Sequence, residues 1–321
     1  MSEGSEASRQ AAIPSEAELD ALFERLSNWG RWGDDDERGM LNNLQPEHAA
    51  RAAAEVRDGL GISLAHDLDL VPTPETPVPA QHHMLAAGDA REESGIPGYE
   101  ASRDFVGCHV HGLGVTHIDA LCHMFVDGRM YNGLPASEVR SDGARRNSIL
   151  SFAEGIVGRG VLLDVAGARG VDFIAGSEAI SRAELEQTAR RQGVELDTGD
   201  ILLVATGRDA RRAEAGGKLD PTDGMVGLHV ECLPWLYERE IALLGCDGIS
   251  DPMPGLGIPD WPFPIHQIGI TSMGLHLIDN LALGSLARAC AERGRWSFLF
   301  SLGAIRVPGA TGCPVNPIAL L

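Results

Sequence analysis

An even spread of the 11 histidines over 321 residues would put about half of one in any 15-residue window. Yet His109, His111, His117 and His123 all fall between 109 and 123. Imidazole is a frequent ligand of divalent transition metals, and the run His117-Ile118-Asp119 adds a carboxylate at a useful distance. Side chains two residues apart on an extended strand leave the same face, so His117 and Asp119 could share one cation. His111 has the same parity, although Gly112 and Gly114 favour a bend or bulge between them. His123, four residues beyond Asp119, could return to the same cavity as the chain turns. The plainer alternative is a hydrogen-bonded group of histidines with no metal.

A metal site of this kind needs ligands from elsewhere in the chain. His229 with Glu231, Asp247, Asp251, His266, His276 and Asp279 are the candidates. Asp279 stands inside the apolar stretch 273–281, where an unpaired carboxylate is costly, so it needs a cation or a helix to cap. The residues alone leave those two readings even. Nucleophilic catalysis finds less support. There is no GxSxG elbow, and Cys122 would point away from its neighbour His123 on a strand, which makes it core filler. His48, His82, His83 and His109 have no evident partner and are read as structural or exposed.

The elements that position these groups can be read from pattern. Ser15 and Glu18 form a capping box ahead of Leu19, Leu22, Phe23 and Leu26, which have helical spacing. A second helix is expected from Pro46, with Ala49, Ala52 and Val56 following. Between the two lies a glycine-rich loop with Trp29 and Trp32, either an aromatic lid over a ligand or side chains packed on the domain. Residues 71–104 carry five prolines and no clear period, which predicts a long surface excursion. From 156 onward, short apolar runs at 161–165, 201–205, 241–244 and 298–302 read as buried strands. They alternate with helical stretches at 181–192, opened by a second capping box (Ser181, Glu184), and at 228–238. That alternation predicts an α/β fold built as a single domain over 15–321 with a mixed sheet core, after a disordered tail at 1–14.

Composition narrows the partners. With 26 basic and 46 acidic residues, a net charge of −20 and a pI near 4.8, the chain has the wrong sign for nucleic acid or an anionic membrane. The six cysteines form no CxxC pair, and no signal peptide or membrane span is evident, so a cytoplasmic location is expected.

The segment His111-Gly112…Thr116-His117-Ile118-Asp119-Ala120-Leu121-Cys122-His123 resembles the signature of the cyclase-like metal hydrolases, among them bacterial kynurenine formamidase and isatin hydrolase. The likeness extends upstream to Trp32-Gly33…Asp35…Gly39…Leu41-Asn42. Downstream it takes in Asp247-Gly248, Pro264-Ile265-His266-Gln267 and Ile278-Asp279-Asn280-Leu281. It covers roughly residues 29 to 283 and is closest to the longer members, whose substrates are mostly unassigned. The resemblance implies a swivelling β/β/α fold, a homodimer or homotetramer, and one or two zinc ions, with manganese as the alternative. It also implies that His117, Asp119, His266 and Asp279 are ligands, Asp119 possibly bridging two ions, and that His123 is the catalytic acid/base. One departure stands out: the shorter enzymes carry a ligand His where this chain has Leu113, a role His111 could take if its turn swings inward.

The chemistry expected is attack of metal-activated water on a small cyclic amide, aryl formamide, ester or lactone, with His123 moving the proton. Trp29, Trp32 and His229 are the candidate substrate contacts; Trp235 and Trp261 could also line an apolar pocket. Glu231 could accompany His229, although a helix-start role suits that pair equally. Two other classes stay open: a metal-dependent cyclase or lyase acting on a polyketide-like substrate, and a non-catalytic metal or ligand-binding protein.

Overall fold

The computed structural model describes residues 12–89 and 96–321. Most of the expected disordered tail, residues 1–11, lies outside them. Among the described residues a nine-stranded mixed sheet forms the centre, built from β1 (Gly61–Ser63), β2 (His117–Asp119), β3 (Ile156–Asp164), β4 (Ile201–Ala205), β5 (Leu243–Cys246), β6 (His276–Asp279), β7 (Ser297–Leu302), β8 (Gly312–Pro314) and β9 (Ile318–Leu320). Their order across the sheet is β1-β9-β7-β3-β4-β5-β6-β2-β8. The four strands β3 to β6 run parallel, and every other pairing is antiparallel.

Parallel strands need covered faces, and these strands read as unbroken apolar runs because both of their faces are buried. In β4, Leu202 and Val204 enter one core with Leu244 and Leu277, while Ile201 and Leu203 enter the other with Leu243 and Ile278. The first core is closed by α1 (Glu16–Arg25), α4 (Arg182–Gln192), α6 (Cys232–Glu238) and α7 (Pro264–Ile268). The second takes Leu286, Ala289 and Cys290 of α8 (Gly284–Arg293) and Phe298 and Phe300 of β7. The short helices α2 (Pro46–Ala53), α3 (Val165–Arg169) and α5 (Arg208–Glu214) complete the connections. The expected single mixed α/β unit is what forms.

Local signals placed several boundaries well. Both capping boxes are present: Glu18 accepts from the Ser15 backbone and Glu184 from that of Ser181. The second helix starts at Pro46. Other boundaries moved. The strand expected at 161–165 runs from Ile156 to Asp164, after which Val165 opens α3. That expected at 241–244 is Leu243–Cys246, whose register against β4 begins at Leu243 opposite Ile201. The helix expected from 228 begins at Cys232, since Gly227–Leu228 pairs instead with Ala179–Ile180. Residues 71–104 are not wholly irregular. Gln81–Ala86 pairs with Arg103–Gly107 as an exposed hairpin, with a shift in register after Met84 that breaks the alternation.

Gly39 ties the N-terminal segment to the turn that follows α7. Its φ is +56°, and a Cβ there would sit 2.1 Å from the carbonyl oxygen of Gly274. The Gly39→Ala protein is therefore expected to lose on the order of 3 kcal/mol, from backbone strain plus overpacking, read as a lower urea midpoint at unchanged slope.

Candidate metal centre

Strand register brings the first candidate ligands together. β2 lies between β6 and β8, with His117 opposite Asp279 on one side and Asp119 opposite Gly312 on the other. Two-residue parity then puts the imidazole of His117 and the carboxylate of Asp119 on one face, as their spacing implied, with His117 Nε2 3.6 Å from Asp119 Oδ1. Asp279 closes the carboxyl end of parallel β6, the end at which open α/β sheets place their sites. The structure makes it no helix cap. Its Oδ1 accepts the N–H and hydroxyl of Ser250, both at 3.2 Å, and its Oδ2 faces His266 Nε2 at 3.2 Å.

His266 arrives from the first turns of α7, which starts at Pro264. Asp251 holds it there. One carboxylate oxygen of Asp251 accepts from the N–H of Ile265 at 2.8 Å. The other accepts from the N–H of His266 at 3.0 Å and from its Nδ1 at 2.7 Å. Nε2 is thereby turned toward Asp279 and toward Asp119 Oδ2, 3.7 Å away. His117 is oriented in the same manner, its Nδ1 donating to the carbonyl of Val115 at 2.8 Å. A ring nitrogen fixed by such a donor bond leaves the other nitrogen's lone pair free, the arrangement of a metal-ligating histidine.

His111 comes in as well. It does not continue the strand, since Gly112 at φ +149° turns the backbone away from it. The turn nevertheless brings His111 Nδ1 within 2.9 Å of Asp119 Oδ1, while its Nε2 meets Thr311 Oγ1 at 3.0 Å. His123 stacks face to face on His111, with ring centroids 3.8 Å apart and planes 5° from parallel. Its Nε2 lies 4.0 Å from Asp119 Oδ1 and its side chain keeps a quarter of its exposure.

The donor set fits a cation. Asp119 is 1% exposed and neither of its carboxylate oxygens has a hydrogen-bond partner; the His111 contact is close but misaligned. A buried carboxylate without hydrogen bonds is costly unless a positive charge faces it. Two groups of ligand atoms meet on it, His111 with His117 and His266 with Asp279, each group lying within 4.8 Å of one another. Asp119 is thus placed to bridge two ions or to serve one. The mixed nitrogen and oxygen set suits zinc or manganese.

Charges respond to this crowding. Burial opposes the ionised form of Asp119, but the imidazoles of His111, His117, His123 and His266 hold its carboxyl well below the usual range. Burial also disfavours charge on His266, and is outweighed by Asp279 and Asp251, which raise its pKa. Burial pushes His123 down to about 4, and Cys122, a buried neighbour, up to about 12. Cys122 is core filler, packed at 1% exposure.

Residues 62–251 match a family described as putative cyclase. This chain belongs to the cyclase family. A crystal structure of a novel cyclase is 30% identical, superposes with a TM-score of 0.82 and aligns over 92% of this chain and 100% of its own. Isatin hydrolase A from Ralstonia solanacearum shares the fold at 19% identity and a TM-score of 0.56, over 84% of this chain and 94% of its own. So does an isatin hydrolase bound to the product analogue thioisatinate, at 15% identity and a TM-score of 0.57, over 87% and 99%. No curated protein sequence matches. The cyclase-like α/β fold implied by the sequence is therefore the fold observed. His266 and Asp279 lie beyond the stretch matched to the cyclase family; the wider resemblance in sequence pointed to them, and the three-dimensional arrangement brings them to Asp119.

The other expected contacts in this cyclase-family chain have partners of their own. Trp29 is half-buried, donates from Nε1 to the carbonyl of Thr271 at 2.8 Å and meets Phe23 edge-on; Trp32 packs against the same core and under Arg31. Trp235 and Trp261 are buried. His229 lines a groove of about 1040 Å³ between α1, α4 and α6, which contains none of the metal-centre residues. Its Nδ1 accepts the N–H of Glu231 at 3.3 Å just before α6, in keeping with a helix-start role. His276 is fully buried and donates from Nδ1 to the carbonyl of Asp119, and Asp247 caps the start of α5. Ser250 and Thr311 touch candidate ligands yet carry no signal in sequence, because a lone hydroxyl residue has no distinguishing pattern.

Asp251→Asn should loosen His266 and weaken zinc binding about 10- to 100-fold, the usual cost of removing a carboxylate behind a ligand histidine. Competition with a chromophoric chelator measures this. Unchanged affinity would show that Asp251 only caps α7.

Proposed function

We propose that this chain is a metal-dependent hydrolase of a small cyclic amide, aryl formamide, ester or lactone. The observation that carries the reading is the buried Asp119 carboxylate, without a hydrogen bond and facing two sets of candidate ligand atoms beside the partly exposed imidazole of His123. A divalent ion held there by His111, His117, Asp119, His266 and Asp279 would lower the pKa of water and polarise a carbonyl. Zinc is the first choice and manganese the second.

The chain's own groups supply the rest. His123 is neutral near pH 7, so its Nε2 is free to take a proton from the attacking water and return it to the leaving nitrogen or oxygen. Stacking on His111 fixes the plane of the ring, and its partial exposure leaves one edge open to substrate. Asp251 and the carbonyl of Val115 keep His266 and His117 from rotating as charge changes at the centre. The fold likeness to isatin hydrolases makes a cyclic amide the first substrate type to try. Trp29 and Trp32 remain the proposed aromatic contacts and His229 a more distant one. We read the functional unit as a cytoplasmic homodimer or homotetramer; no helix of the described residues is long and apolar enough to cross a membrane.

The family description, putative cyclase, favours a second reading, in which the same groups move protons without adding water. Turnover in heavy-oxygen water separates the two, since only hydrolysis leaves solvent oxygen in the product. Under the hydrolase reading, His123→Ala keeps its metal content and loses about 10²- to 10⁴-fold in kcat. Undiminished turnover by that variant on cyclic amide, formyl-aniline or lactone substrates would remove His123 from the mechanism.

A further inference from the structure

Arg208 opens α5 and is 4% exposed, far from the expected surface position of an arginine. Its backbone is anchored first. The carboxylate of Asp247 accepts the N–H groups of Thr206, Gly207 and Arg208 at 2.8, 3.0 and 3.1 Å. Its guanidinium then spreads over five partners, Met225 Sδ among them at 3.1 Å from Nη1. Nη1 donates to Asn280 Oδ1 at 3.0 Å and lies 3.4 Å from the carbonyl of Asp247; Nη2 donates to the Glu75 carboxylate and to the carbonyl of Leu113 at 3.3 Å.

Asn280 carries this clamp to the ligands. It follows Asp279 directly, in a left-handed conformation at φ +57°. Its Nδ2 donates to the carbonyls of Gly112 at 2.8 Å and Val115 at 3.2 Å. Between them, Arg208 and Asn280 hold three carbonyls of the short loop joining His111 to His117, and that of Val115 also orients the His117 ring. The loop is pressed from behind by the proline-rich excursion. A Cβ on Gly114 would lie 1.8 Å from Thr76 Oγ1, and the neighbouring Glu75 is bound by Arg208, by Arg212 and by the N–H of Leu219.

We propose that Arg208 is a positioning residue of the metal centre: acting through Asn280 and Leu113, it sets where the 111–117 loop presents His111. The inference rests on the metal-centre reading. The asymmetry of the supports says where its effect falls. Asp279 is fixed by sheet pairing and by Ser250, and His266 by Asp251, so neither depends on the guanidinium. His111 lies outside the sheet, and among the described residues its side chain hydrogen-bonds to Thr311 alone. A planar fork reaches Asn280, Glu75 and Leu113 together, and a lysine ammonium on its flexible stem does not reproduce that spread.

The test measures zinc affinity by chelator competition, without substrate, in a double-mutant cycle between position 208 and position 111. Arg208→Lys is expected to weaken zinc binding about tenfold or more, and to weaken it less than threefold further when His111→Ala is already present. Asn280→Gly, which tolerates the left-handed backbone, serves as the second route to the same loop should Arg208→Lys fail to fold, and the same non-additivity is expected. Wild-type affinity in either variant, or an equal loss with and without His111, overturns the proposal and leaves Arg208 as a structural ion pair. The hydrolase reading fails separately: coupled zinc binding with no turnover of any substrate type sinks that reading and leaves the clamp standing. Absence of zinc uptake by the wild-type protein overturns both.

Discussion

The structure is organised around one costly charge. Asp119 carries an ionised carboxylate at 1% exposure, with no hydrogen bond to either oxygen. Burying such an ion costs several kcal/mol even after the surroundings relax. The compensation visible in the fold is four imidazoles whose nitrogens approach within 2.9 to 4.0 Å, and a cation held among them would supply the rest. Removing Asp119 from the centre would leave the two ligand groups with nothing in common.

The form of the sheet lets that charge be reached from several directions. Four parallel strands end on one edge and deliver Asp247, Asp251 just beyond it, and Asp279. The three-residue strand β2 is then inserted antiparallel beside β6, which sets His117 across from Asp279. Such a short strand has little intrinsic stability; its neighbours on both sides, its buried Ile118 and the buried Ala120 and Leu121 that follow it hold it in place. Packing thus fixes the backbone, and the outer hydrogen bonds from Asp251, Ser250, Val115 and Thr311 fix the rings and carboxylates upon it.

Division of labour follows. The His266 and Asp279 half is built into helix start and strand end, whereas the His111 half depends on a glycine-flanked turn held by polar contacts from distant parts of the chain. The resemblance would lead one to expect a ligand histidine where this chain has Leu113. In this chain the Leu113 side chain gives no ligand, and its carbonyl is used instead to secure the turn that carries His111.

What the sequence determined by itself is local and periodic. The capping boxes at Ser15 and Ser181, the apolar run at 201–205 and the two-residue parity of His117 and Asp119 all express rules that act over a few residues, and all appear in the fold. Family resemblance added His266 and Asp279, which no local rule could join to Asp119. Tertiary structure alone decided that His111 turns inward, that Asp251 stands behind His266, that part of the proline-rich excursion is a hairpin and that Arg208 meets Glu75 and Asn280. Apart from the short reach of His111 to Asp119, these are contacts between residues 15 to 133 positions apart. A hydrogen bond or ion pair at that separation imposes no periodicity on the chain, so it becomes readable only once the packed sheet has closed the distance.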